Sequence, residues 1–249
     1  MSLIKPSLTE IVRKQFLYKM KAYLPAFLTM VVLQVIAIAL SFNGTGMSGS
    51  GSDTLDMTVH FYSGDFVVTF TMLWAFVIGF NLTTKANRND DFTFVTNRFS
   101  SNLSNAAFLF AASVIGGITA LLASNLLMVF VYYFSNKVLL HSFNVMNHPL
   151  ELLTGMTAAS LYVFLIGVLG YICGTIIGIS RIFILLLPAV AFATFIVGAG
   201  LGENGVIISI FFFFTRETSL LLFIIKVVVT VFILLAGSFA LSNRMEVRP

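Results

Sequence analysis

Charge is scarce in this chain. Asp, Glu, Lys and Arg make up 10% of its 249 residues, whereas a soluble domain carries about 25%. Ten acidic and fourteen basic side chains cannot clothe a soluble body of this size, which excludes a soluble enzyme and a disordered tail. Cysteine is scarcer still. Cys173 is alone, so an intrachain disulfide and a Cys-based zinc site are both excluded, and its place inside an apolar run makes it a small buried filler. The net charge of +4 is not gathered on a polar domain, so no nucleic-acid partner is expected.

Long apolar runs are what the chain has in abundance. Apolar residues make up 58% of it, and the mean hydropathy is +0.99. A membrane core roughly 30 Å thick takes about 20 helical residues. Six runs approach or exceed that length: Leu24 to Phe42, Phe66 to Leu82, Ala106 to Phe134, Met156 to Ile179, Ile182 to Val197 and Ser219 to Leu241. Val206 to Phe214 is apolar but too short to span, and glycines precede it. The stretch 198–217 therefore reads as an outer re-entrant or interfacial segment packed on protein or at the headgroups. The expected fold is all-α: one polytopic transmembrane domain over 1–249, with six transmembrane helices, an N-terminal amphipathic helix and this short re-entrant segment. The first run is too long for a signal peptide, and no clean cleavage site follows it, so it reads as a retained helix.

Cations set the orientation. Lys5, Arg13, Lys14, Lys19 and Lys21 precede the first span, and Lys85, Arg88 and Arg98 lie between the second and third. Arg181 lies between the fourth and fifth, and Arg244 and Arg248 follow the last. These eleven of the fourteen cations share one side of a six-span arrangement. Lys137 and Arg216 fall on the other side, and Lys226 falls within the last span. The asymmetry predicts two cytoplasmic termini.

The loops differ in kind. Asn43 to Tyr62 is rich in Gly and Ser, carries Asp53 and Asp56 without a cation, and predicts a flexible outer hairpin. Ser135 to Leu150 holds His141 and His148, whose spacing matches no metal-ligand pattern; they read as solvent-exposed. In the N-terminal arm, 7–23, Ser7-Leu-Thr-Glu10 spells a capping box that starts a helix near Leu8. Leu8, Ile11, Val12 and Phe16 share one arc of that helix, with Glu10, Lys14 and Lys21 opposite. It reads either as a helix lying in the headgroups, apolar side down, or as a topology-setting charge cluster.

The longest inner loop, 83–105, is the most informative. Asn89, Asp90 and Asp91 can cap a helix, and Phe92, Phe94, Val95 and Phe99 then interleave with Thr93, Thr96, Asn97 and Arg98. Large apolar groups on such a loop are costly to expose unless they dock on something. A cytosolic protein suits the flanking Asp90 and Asp91 better than anionic lipid does; a self-packed loop is the alternative.

Within the spans, Gly170, Gly174 and Gly178 form a small-xxx-small ladder that lets two helices approach closely. Lys226 lies about 10 Å below Ser219 by the helical rise, where it either snorkels to the outer interface or lines a substrate path. Gln34, near the middle of the first span, is the second candidate for a path. Catalytic patterns are missing. There is no Walker A sequence, no His-Glu-x-x-His and no paired Asn-Pro-Ala. Gly46-Met-Ser-Gly49 spells a rhomboid-protease nucleophile motif, but it lies in a polar outer loop and no span holds a His. No enzymatic activity is expected of this chain.

The layout resembles the membrane (permease) subunit of a bacterial type-2 ABC transporter. The likeness lies in the amphipathic N-terminal helix, six spans with both ends inside, the long first inner loop and the short apolar piece before the last span. The closing Leu241-Ser-Asn-Arg-Met-Glu-Val247 is similar to the tails of such permeases. The resemblance implies that Asp90, Asp91, Phe92, Phe94, Val95, Arg98 and Phe99 form a coupling helix that docks on a separate cytosolic ATP-binding subunit. ATP and Mg would belong to that partner, and this chain would hold no cofactor. A second permease chain, identical or related, would complete the transporter in a bacterial plasma membrane. Sparse polar groups in the spans suggest export of an amphipathic peptide, lipid or drug by alternating access. A vitamin-capturing importer subunit and a non-transporting immunity or assembly protein are the rival readings.

Overall fold

A computed structural model describes residues 7–42, 44–52, 55–84, 87, 98–134, 149–180, 182–201 and 205–244. Helix α1 spans Leu8–Ala22 and α2 spans Leu24–Ser41, with Tyr23 as the turn between them. Strands β1 (Gly46–Ser52) and β2 (Leu55–Phe61) follow, then α3 (Asp65–Leu82), α4 (Arg98–Phe134), α5 (Pro149–Ile179), α6 (Phe183–Leu201), α7 (Val206–Thr215) and α8 (Leu220–Arg244). Five of these helices, α2, α3, α4, α5 and α8, are long and apolar enough to cross a membrane. This supports an all-α polytopic membrane protein.

Helix α5 is the central element and packs against α3, α4 and α8. Its place follows from glycine. A methyl group at Gly170 would overlap the Phe76 carbonyl of α3, and one at Gly79 would overlap the Gly167 carbonyl of α5. The two backbones therefore touch directly, as only glycine permits. Around this crossing Met30, Trp74, Ile78, Phe108, Leu109, Val163, Val168 and Val227 form one buried apolar cluster.

Several elements differ from the sequence expectation. The run Ile182 to Val197 forms α6, but this helix is not among the five, because its apolar stretch Phe183–Gly198 is shorter than theirs; it also carries Pro188, and most of its described surface is exposed. Helices α4 and α5 begin at Arg98 and Pro149, well before Ala106 and Met156, so the last eight residues of the inner loop 83–105 are helix. The outer loop is a hairpin, as expected, but one of two paired antiparallel strands, whose register runs from Gly46 opposite Phe61 to Ser52 opposite Leu55. Leu55, Met57, Val59 and Phe61 alternate with Asp56, Thr58 and His60, the period of a strand. His141 and His148 lie outside the described residues.

Helix α1 starts where its cap predicts, with the Ser7 hydroxyl accepting from the Glu10 amide at 3.3 Å. Glu10 takes the Lys14 ammonium at 2.8 Å. That hydrogen bond, and then the lysine charge, holds the Glu10 carboxyl below its ordinary range. The arc holding Ile11, Val12 and Phe16 faces the bundle rather than a surface. Helix α1 packs on α4, Phe16 and Met20 join the apolar cluster, and Gln15 and Lys19 are buried with them.

Candidate functional site

The strongest concentration of buried polar chemistry lies where α1 meets the first turns of α4. Gln15 and Lys19 are one turn apart on α1 and so face the same neighbour. The Lys19 ammonium, only 4% exposed, donates to the Ser104 hydroxyl at 2.8 Å and to the Asn105 side-chain oxygen. The Asn105 amide donates to the Tyr171 hydroxyl at 3.3 Å, and that hydroxyl donates to the Asn102 side-chain oxygen at 2.9 Å. Three helices, α1, α4 and α5, are thus joined through one set of bonds. Further along, the Thr175 and Ser238 hydroxyls meet at 2.9 Å and join α5 to α8.

Hydrogen bonds to a charged group are worth about 1.5–3 kcal/mol each, more than neutral ones. The set therefore ties α1 to the bundle and links the start of α4 to both α1 and α5. Gln15 is the exception. It is fully buried, and neither polar atom of its amide has a partner among the described residues. Such a group carries a desolvation cost of about 1–3 kcal/mol.

Sequence reading passed over this network. Ser100-Ser-Asn-Leu-Ser-Asn105 looks like loop composition. Once α4 begins at Arg98, Ser101, Ser104 and Asn105 become a polar stripe at helical spacing, and that spacing was the available signal.

The residues assigned to coupling are divided. Asp90, Asp91, Phe92, Phe94 and Val95 lie outside the described residues. Arg98 opens α4. Phe99 is half exposed, and its ring meets Phe239 of α8 edge-on with centroids 6.2 Å apart. The ends of the loop are well placed: α3 closes at Leu82, and a methyl group at Gly174 would come within 2.9 Å of the Phe80 carbonyl.

The two path candidates sit in bonded surroundings. Gln34 is buried, and its amide nitrogen donates to the Thr71 and Thr119 hydroxyls at 3.1 Å each, tying α2 to α3 and α4. Lys226 pairs with Glu217 and donates to the Phe213 carbonyl at 3.1 Å, with its ammonium 4.0 Å from the Phe213 ring centre. It thereby caps the C-terminal end of α7, where lysine is favourable. The neighbouring Phe214 carbonyl accepts from the Tyr162 hydroxyl of α5 at 3.0 Å. Of the glycine ladder, Gly170 and Gly174 are buried against α3, whereas Gly178 is exposed near the helix end, and Gly167 supplies the third close approach.

Comparison with protein families, with curated proteins and with solved structures finds no match.

Proposed function

We propose that this chain is the membrane subunit of an ATP-driven exporter, working with a separate cytosolic ATP-binding subunit and a second permease chain. On this reading α6 is the sixth crossing. Its 19 residues span about 28 Å, close to the thickness of the hydrocarbon core. Its exposed apolar surface then faces lipid or the second permease, and α7 is the short re-entrant piece held by Lys226 and Tyr162. The eleven cations on one side support cytoplasmic termini, and on this reading the membrane is a bacterial plasma membrane.

The observation that carries the proposal is how the helices flanking the inner loop are held. Helix α3 enters the loop locked backbone-to-backbone against α5, and α4 leaves it bonded through Ser104 and Asn105 to Lys19. A push on Asp90, Asp91 and the aromatic residues Phe92 to Phe99 would be delivered to α1, α3, α4 and α5 together. A motor subunit needs such a lever to drive alternating access. The substrate would be amphipathic, since the spans offer few polar groups and the Gln34 amide nitrogen is already bonded to the Thr71 and Thr119 hydroxyls.

Affinity purification from native membranes in mild detergent tests the reading. The expected result is a stoichiometric Walker-motif protein whose ATPase activity rises in the complex. Recovery of the chain without any nucleotide-binding subunit would overturn it.

A further inference from the structure

Helices α2 and α3 do not close fully on one another. Pro25, Thr29 and Leu33 on α2 and Phe70, Trp74 and Asn81 on α3 line an apolar groove of about 500 Å³. The cause lies in the side chains. Ala26 and Thr29 are too short to fill the space beside Trp74, whose indole nitrogen is tied to the Ala26 carbonyl at 2.9 Å. The ring cannot swing across to close the gap.

The groove has an orientation. Pro25 and Asn81 line one end, and Leu33 and Phe70 line the other. From Pro25 to Leu33 the helical rise covers about 12 Å, near the thickness of one leaflet of the hydrocarbon core. The groove therefore runs from the interface at the α1 end towards mid-membrane, the course of a single acyl chain.

Charge identifies the headgroup. Lys21 lies four residues before Pro25, across the Tyr23 turn, on the exposed side of α1 together with Arg13, Lys14 and Leu17. Lys14 is compensated by Glu10. Among the described residues neither Lys21 nor Arg13 has an ion-pair partner. The exposed arc of α1 is thus net positive, and Lys21 is its cation nearest in sequence to the Pro25 end of the groove.

We infer that the groove between α2 and α3 is a binding site for one anionic phospholipid, its acyl chain against Trp74 and its phosphate at Lys21. The site concerns the leaflet that meets α1, and it stands independently of any ATP-driven role.

Trp74 is the chain's single tryptophan, so its fluorescence reports on this groove alone. The full chain is placed in nanodiscs of phosphatidylcholine, with either brominated phosphatidylglycerol or brominated phosphatidylcholine added in increasing amount. Bromine quenches an adjacent indole. The anionic lipid is expected to quench at about fivefold lower mole fraction, the factor that one lysine at an anionic surface supplies. Lys21→Gln should bring the two lipids together, and Thr29→Phe should weaken quenching by both. If Lys21→Gln does not fold, 1 M salt on the unaltered protein does the same work by shortening the Debye length to about 3 Å. Equal quenching by the two lipids in the unaltered protein would overturn the site, leaving ordinary lipid contact. No quenching would overturn it too, leaving a groove covered by protein.

Discussion

Lys19 and Asn105 lie 86 positions apart in sequence, yet the ammonium of one donates to the side-chain oxygen of the other in a buried site. A buried cation makes the two ends of this contact unequal. Lys19→Met removes the charge along with the bond, whereas Asn105→Leu leaves the ammonium buried with fewer acceptors. Asn105→Leu is therefore expected to cost about 3 kcal/mol or more, and Lys19→Met about 1–2 kcal/mol. The double variant should recover part of the difference, giving a coupling energy of about 1 kcal/mol or more. Thermal unfolding of the four proteins in one detergent measures this; strictly additive losses would show that the contact carries no energy.

Gln15 gives a prediction of opposite sign. Its amide is buried and has no partner among the described residues, so an apolar side chain of similar length removes a cost without breaking a bond. Gln15→Met should stabilise the protein by about 1 kcal/mol. A loss of stability would mean that the amide meets a partner in the membrane-embedded protein. Gln15→Glu, which retains the shape but adds a charge, should be strongly destabilising.

These two neighbours show what sequence reading reaches and where it stops. Apolar run length placed α2, α3 and α8 within a residue or a few at each end, because burial in hydrocarbon depends on composition summed over a window. The Ser7 cap was legible because it is local. The Lys19 seat was not, because it depends on α1 packing its mixed face on α4, a long-range fact. In the sequence Lys19 is one of five cations that precede the first span. Ser100 to Asn105 looked like loop for the same reason: a polar stripe on a helix reads as loop until its packing partner is known. The outer hairpin between Asn43 and Tyr62 was legible as a hairpin, but its paired strands were not: β2 has the alternation of a strand, whereas the Gly/Ser run before it reads as flexible chain.

The α3–α5 crossing tolerates no side chain at its closest points. Gly170→Val would drive two methyl groups into the Phe76 backbone, which cannot yield as a flexible side chain could. The expected result is a protein that fails to accumulate or elutes as aggregate on size exclusion. Gly178→Val, at the exposed end of the same ladder, should leave yield and elution unchanged. Equal behaviour of the two variants would remove the close crossing as a determinant of the fold.

Lys226 was open to two readings, a residue reaching for the interface or one lining a path, and its contacts define a structural duty. Its ammonium holds Phe213 and Glu217, fixing the C-terminal turn of α7 to α8. Lys226→Met should release that turn, and Lys226→Arg, which keeps the charge and the donors, should retain much of the hold. The readout is thiol-labelling rate at a cysteine introduced at the exposed Thr215, in a Cys173→Ala background. Severalfold faster labelling in Lys226→Met than in Lys226→Arg is expected. Transport measured on the same variants separates the roles. A lining residue would change substrate preference with labelling unchanged, whereas a cap would change labelling first and transport only as far as α7 must stay seated.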